Sequence, residues 1–90
     1  MNKKNTTSSF TLRYLRKRAG LTQGEMAILL SERFERIHSL RKGIHQNSIS
    51  SWERGEHFPR LTPNEMLQLC DLLDCSLLEL AQATDYLEKI

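Results

Sequence analysis

Two groups of side chains in this chain have the types and spacing to do chemistry. The first is the polar run Gln46-Asn47-Ser48, with Ser50 and Ser51 close behind. A carboxamide donates and accepts hydrogen bonds at once, so adjacent Gln and Asn can grip a surface that presents both kinds of group. The second is basic. Residues 1–60 hold twelve lysines and arginines against five acids, a balance of +7, whereas residues 61–90 hold one against six, a balance of −5. The overall charge of +2 hides this division. A basic amino-terminal part suits a polyanion. An acidic carboxy-terminal part is either turned away from it or available to a protein partner.

Other chemistry finds little support. No H-E-x-x-H, phosphate-cradling glycine loop or G-x-S-x-G occurs, so an enzyme is not expected. His38, His45 and His57 are scattered without metal-ligand spacing, and no cofactor is expected. Cys70 and Cys75 lie five apart in an apolar helical pattern. That spacing does not suit a disulfide along one helix, and the pair reads as two small buried apolar residues in a reducing cytoplasm. Met1–Ser9 has no apolar stretch of the kind that directs secretion, and no run is long enough to span a membrane. The expectation is a cytoplasmic protein with no membrane partner.

Helices must position these groups. Ninety residues, 39% hydrophobic and 27% charged, fit one domain with one modest core. Valine is absent, and no long stretch alternates with period two. Residues 1–9 read as a flexible arm and 10–90 as the domain. A first helix runs from Phe10 to Arg18, capped by Ser9 or Thr11 and stopped by Gly20. Thr22 and Glu25 form a capping box that opens a second helix. Its apolar positions Met26, Leu29, Leu30, Phe34, Ile37 and Leu40 continue to about residue 40, with a break near Ser31 equally compatible with the pattern. A third helix covers about Gln46–Arg54, leans on Ile49 and Trp52, and ends at Gly55. Thr62-Pro63-Asn64-Glu65 starts a fourth that ends at Asp74, and Ser76 with Glu79 starts a fifth, with 81–90 as its extension.

In this order the pieces carry a resemblance. They are Leu15-Arg16-Lys17-Arg18-Ala19-Gly20-Leu21-Thr22-Gln23, Met26-Ala27, Ile49-Ser50-Ser51-Trp52-Glu53-Arg54-Gly55, and Leu72 through Leu80. The chain resembles the lambda-repressor-like family, also called the Cro/C1 or XRE-type helix-turn-helix. The resemblance implies an all-α, five-helix DNA-binding domain whose third helix lies in the major groove. It implies that Gln46, Asn47 and Ser51 read bases, with Ser48 at a base edge or a phosphate. Gln and Asn suit adenine, which offers a donor and an acceptor side by side. Gln23 would meet a phosphate at the amino terminus of the second helix. Arg54, Arg60, Arg13 and Lys17 are further phosphate candidates, with Lys3 and Lys4 of the arm. The resemblance also implies that Arg16 and Glu53 form a structural clamp between the first and third helices.

One segment departs from the family. About twelve extra residues separate Leu30 from Gly43, making 31–42 an insertion. It reads as an extended second helix plus a longer loop. Arg33, Arg36, His38, Arg41 and Lys42 would lie over a phosphate strand; the competing reading is an extension that only enlarges the core. The expected function is a sequence-specific transcriptional regulator, a repressor, acting on double-stranded DNA as a homodimer, with Leu77–Ile90 as the dimer surface. Two alternatives remain at this point: a DNA-binding antitoxin whose acidic end grips a basic toxin, and a helical protein-interaction adaptor.

Overall fold

The computed structural model describes residues 11–38, 43–56 and 58–84. Among these residues are five α-helices and no strand: α1 Leu12–Arg18, α2 Gln23–His38, α3 Gln46–Glu53, α4 Pro63–Leu73 and α5 Leu77–Thr84. The all-α fold with an extended second helix is therefore present. Phe10, the arm, Leu40, Arg41, Lys42, His57 and residues 85–90 lie outside the described residues.

Local chemistry accounts for where the helices begin. Thr11 caps α1 by accepting the Tyr14 amide at 3.0 Å. Reciprocal capping boxes open α2, α4 and α5. Thr22 and Glu25 exchange bonds of 2.9 and 3.0 Å, Thr62 and Glu65 bonds of 2.9 and 3.2 Å, and Ser76 and Glu79 bonds of 3.1 and 3.0 Å. His45 caps α3 through Nδ1, which accepts the Asn47 amide at 3.2 Å. Helix ends are set by left-handed residues. Gly20 follows α1 at φ +80° and Gly55 follows α3 at φ +74°, conformations that a β-carbon disfavours. Asp74 closes α4 in the same region, at φ +53°.

The core collects one stripe from each helix. Leu12 and Leu15 of α1 meet Met26, Ala27, Leu30 and Phe34 of α2, Ile49 of α3, Leu69, Cys70 and Leu73 of α4, and Leu80 of α5. Helix α2 is central and packs most extensively on α3 and α4. The break near Ser31 does not occur. The Ser31 hydroxyl donates to the Ala27 carbonyl at 2.7 Å and accepts the Ile44 amide at 2.8 Å, which pins the returning chain just before α3. Trp52 packs edge-to-face on Phe58, with ring centroids 5.5 Å apart, and holds the loop after α3 against the body.

The extension of α2 is bound to α4. Phe34 belongs to the core, Arg33 donates to Asp71 and Gln68, and the His38 ring bonds the buried Glu65 carboxylate at 2.7 Å. This corrects the expectation for Arg33 and His38. Positions read as basic surface over a phosphate strand face α4, because the unbroken helical phase of α2 turns them there. At the other end, Arg18 ties α1 to α5 through a two-pronged bond to Glu79 at 3.0 and 3.2 Å and a bond to the Asp74 carbonyl.

Two outcomes test this packing. Ile49→Ala removes a fully buried side chain that seats α3, and is expected to cost about 2–5 kcal/mol in urea unfolding. The Glu79 carboxyl is held below its ordinary range by the hydrogen bond from Arg18, and further by the Ser76 amide. A carboxyl lowered in the folded state stabilises above its unfolded range, and that contribution is lost as pH falls through the folded value. Melting curves from about pH 6 down to about pH 3 should therefore fall less steeply for Arg18→Met than for the unaltered protein.

Candidate nucleic-acid interface

Helix α3 is short, and its sequence explains how it is held. Serines at 48, 50 and 51 are weak helix formers, so its stability comes from the buried Ile49 and from its two ends. Glu53 lies in its last turn. The Arg16 guanidinium donates to both Glu53 oxygens, at 2.5 and 3.2 Å, and to the Leu21 carbonyl at 2.8 Å. Both side chains are almost fully buried, at 8% and 6% exposure. Gln23, the first residue of α2, donates its carboxamide N–H to Glu53 Oε1 at 3.0 Å. One carboxylate thus receives α1 and the start of α2 and delivers α3 to both. A forked guanidinium–carboxylate contact fixes direction as well as distance.

This junction divides a polar surface into two adjoining open clefts. The first is lined by Arg13, Arg16, Lys17, Gln23, Ser50, Glu53 and Arg54. The second shares Arg16, Lys17 and Gln23 and continues over Gly20, Thr22 and Gly24 to Gln46. Four of the phosphate candidates, Arg13, Lys17, Gln23 and Arg54, are thereby brought together. Glu53 is the acid in that set, and Arg16 neutralises it. The second cleft also takes in the amino terminus of α2. There the Glu25 and Met26 amides are satisfied by Thr22, while those of Gln23 and Gly24 stand at the positive end of the helix dipole.

Gln46 and Asn47 are both exposed on the first turn of α3, whereas Ser48 and Ser51 are half-buried. A β-carbon on Gly24 would sit 3.4 Å from Gln46 Oε1, so the Gln46 carboxamide lies over the first turn of α2. Arg54 is exposed but engaged. It donates to Glu56 at 2.8 and 3.2 Å, to Ser50 at 2.5 Å and to Ser51 at 3.4 Å. Arg60 is exposed and lines neither cleft. Arg41 and Lys42 lie outside the described residues.

Several participants carry little signal in the sequence. Gly24 beneath Gln46 becomes visible only when α2 and α3 are set side by side, and Glu56 takes Arg54 from just two residues away. Ser31 offered a faint clue, since a hydroxyl in a helix interior often bonds the carbonyl four residues back. Among the described residues no group of three or more His, Cys, Asp or Glu could hold a metal ion, and no helix is long and apolar enough to cross a membrane.

Comparison with known proteins agrees with this geometry. The family profile described as a helix-turn-helix domain matches residues 9–83. The chain belongs to the helix-turn-helix domain family, whose members are DNA-binding domains, and this is consistent with the Cro/C1-type resemblance of its sequence. No curated protein and no solved structure matches it.

The junction can be tested by unfolding. Glu53→Ala leaves the Arg16 guanidinium buried without its carboxylate and should cost about 3–5 kcal/mol. The double variant Arg16→Met with Glu53→Leu should recover much of that loss, because two apolar groups replace a desolvated pair. Equal losses in the single and double variants would show that the stranded guanidinium is not the source of the cost and that the pair itself stabilises the fold.

Proposed function

We propose that this protein is a sequence-specific regulator of transcription that binds double-stranded DNA through α3 and acts as a repressor. One observation carries the reading: exposed Gln46, with exposed Asn47 next to it in the first turn of α3, lines one of two adjoining basic clefts assembled from α1, α2 and α3. A helix with its side chains is about 10–12 Å across, and the major groove is about 12 Å wide. With α3 in that groove, Gln46 and Asn47 reach base edges, and Ser48 and Ser51 follow along the same strand. Arg13, Lys17 and the amides at the start of α2 take phosphates of the flanking backbone, and Arg54 joins them by exchanging Glu56 for a phosphate. Arg60, with Arg41 and Lys42 beyond the described residues, extends that contact. Phosphate contacts set register and affinity, and base contacts set sequence.

The same reading makes residues 10–90 one DNA-binding unit with a homodimeric arrangement on a near-palindromic site. Leu77 and Leu78 on α5, 54% and 63% exposed, support an apolar meeting surface. Repression then requires only that the bound dimer occupy a promoter.

Selection of binding sites from random duplex DNA tests the proposal. The unaltered protein should enrich a two-fold-related motif. Gln46→Ala and Asn47→Ala should each relax preference at a particular base pair, at a cost of about 1–3 kcal/mol. Lys17→Ala should instead weaken all sequences alike and lower the slope of log affinity against log salt by about 1. Absence of binding even at about 50 mM salt would reject DNA as the partner and favour a protein-interaction adaptor.

A further inference from the structure

We propose that Cys70 and Cys75 form a dithiol site that reacts with a low-molecular-weight disulfide and closes to an intrachain disulfide across the α4–α5 turn. The two thiols are free, as the spacing led us to expect, and the case for closure rests on the turn that joins them. In an uninterrupted helix five residues rise by about 7.5 Å, beyond the roughly 4.4–6.8 Å between α-carbons that a disulfide spans. Helix α4 does not continue to Cys75. It ends at Leu73, and Asp74 takes the left-handed conformation, φ +53° and ψ +50°. The Asp74 amide then bonds the Asp71 carbonyl at 3.2 Å, and the Cys75 amide bonds the Cys70 carbonyl at 3.0 Å. This pair of bonds folds the chain back and sets the side chains of the first and last residues of the turn against each other. Here both are cysteines, and both are free.

The site is also reachable. Cys70 and Cys75 line an open cleft with Leu67, Gln68, Asp71 and Ser76. Cys70 is buried, while Cys75 is only partly buried at the edge of the core and meets the oxidant first. Burial pushes the thiols up, Cys75 to about 12, with the neighbouring Cys70 and then Glu79 adding to the rise at Cys75 and Arg18 opposing it. Thiolate is therefore scarce near neutrality, and closure is slow.

The reaction balances in two exchanges. The Cys75 thiolate attacks one sulfur of an oxidised glutathione, forming a mixed disulfide and releasing one glutathione thiolate. The Cys70 thiolate then attacks Cys75 Sγ, forming the Cys70–Cys75 bond and releasing the second glutathione thiolate. The two cysteines lose two electrons, the small disulfide gains them, and the two protons pass to the released thiolates. The product ties together a turn whose Asp74 carbonyl and Glu79 carboxylate are already held by Arg18.

Equilibration of the full chain with mixtures of oxidised and reduced glutathione at about pH 8, read by intact mass, tests the site. The expected product is a monomer lighter by two hydrogens, reversed by dithiothreitol. Its equilibrium constant should exceed that of the same chain unfolded in guanidinium by about tenfold or more, with a matching rise in melting temperature. Cys70→Ser and Cys75→Ser should each stop at the free thiol or its glutathione adduct. Accumulation of the mixed disulfide or of disulfide-linked dimers in the unaltered protein would overturn the proposal. So would a folded-state constant no larger than that of the unfolded chain.

Discussion

The structure depends on one buried carboxylate. Glu53 accepts both prongs of the Arg16 guanidinium and the carboxamide N–H of Gln23, and so joins α1, α2 and α3 at one point. A single carboxylate has lone pairs enough for this, and burial removes the water that would otherwise compete for them. The consequence is geometric more than energetic. Helix α3 is eight residues long and rich in serine, and would hold no fixed direction by itself. Anchored at Glu53, seated by Ile49 and capped by His45, it places Gln46 in the cleft that Lys17 also lines.

The long α2 serves the same end from the opposite side. Its first turn supplies Gln23 and Gly24 to the polar surface, its middle fills the core, and its last turns are bound to α4 through Arg33 and His38. Ser31 sits where these duties meet. By taking the Ile44 amide it fixes the chain just ahead of α3, and hence where α3 can start. Exposed pairs such as Arg54–Glu56 stand apart from this framework, since solvent screening leaves them easy to exchange for another anion.

What could be read from the sequence was mostly local. The boxes at Thr22, Thr62 and Ser76 and the stops at Gly20 and Gly55 depend on neighbours within five residues, and their chemistry is written in the residue types. The core stripe was readable for the same reason, from spacings of three and four. The Arg16–Glu53 meeting spans 37 residues and became readable only through resemblance to a family. Where no such guide existed, distant pairings stayed hidden. Arg33 looked like free basic surface because its partner Asp71 lies 38 residues away on a helix of unknown rotation. There a correct local pattern met a three-dimensional fact that the pattern did not contain.

The proposed DNA-facing surface is α3 with the start of α2, the two held together by Glu53. Backbone amide NMR during titration with a short duplex carrying the selected motif tests this most directly. The largest shifts should fall on Gln23, Gly24 and residues 46–51, with smaller ones at Arg13 and Lys17, and the amides of α4 should stay in place. Shifts gathered on α4 and α5, with Gln46 and Asn47 unmoved, would contradict it.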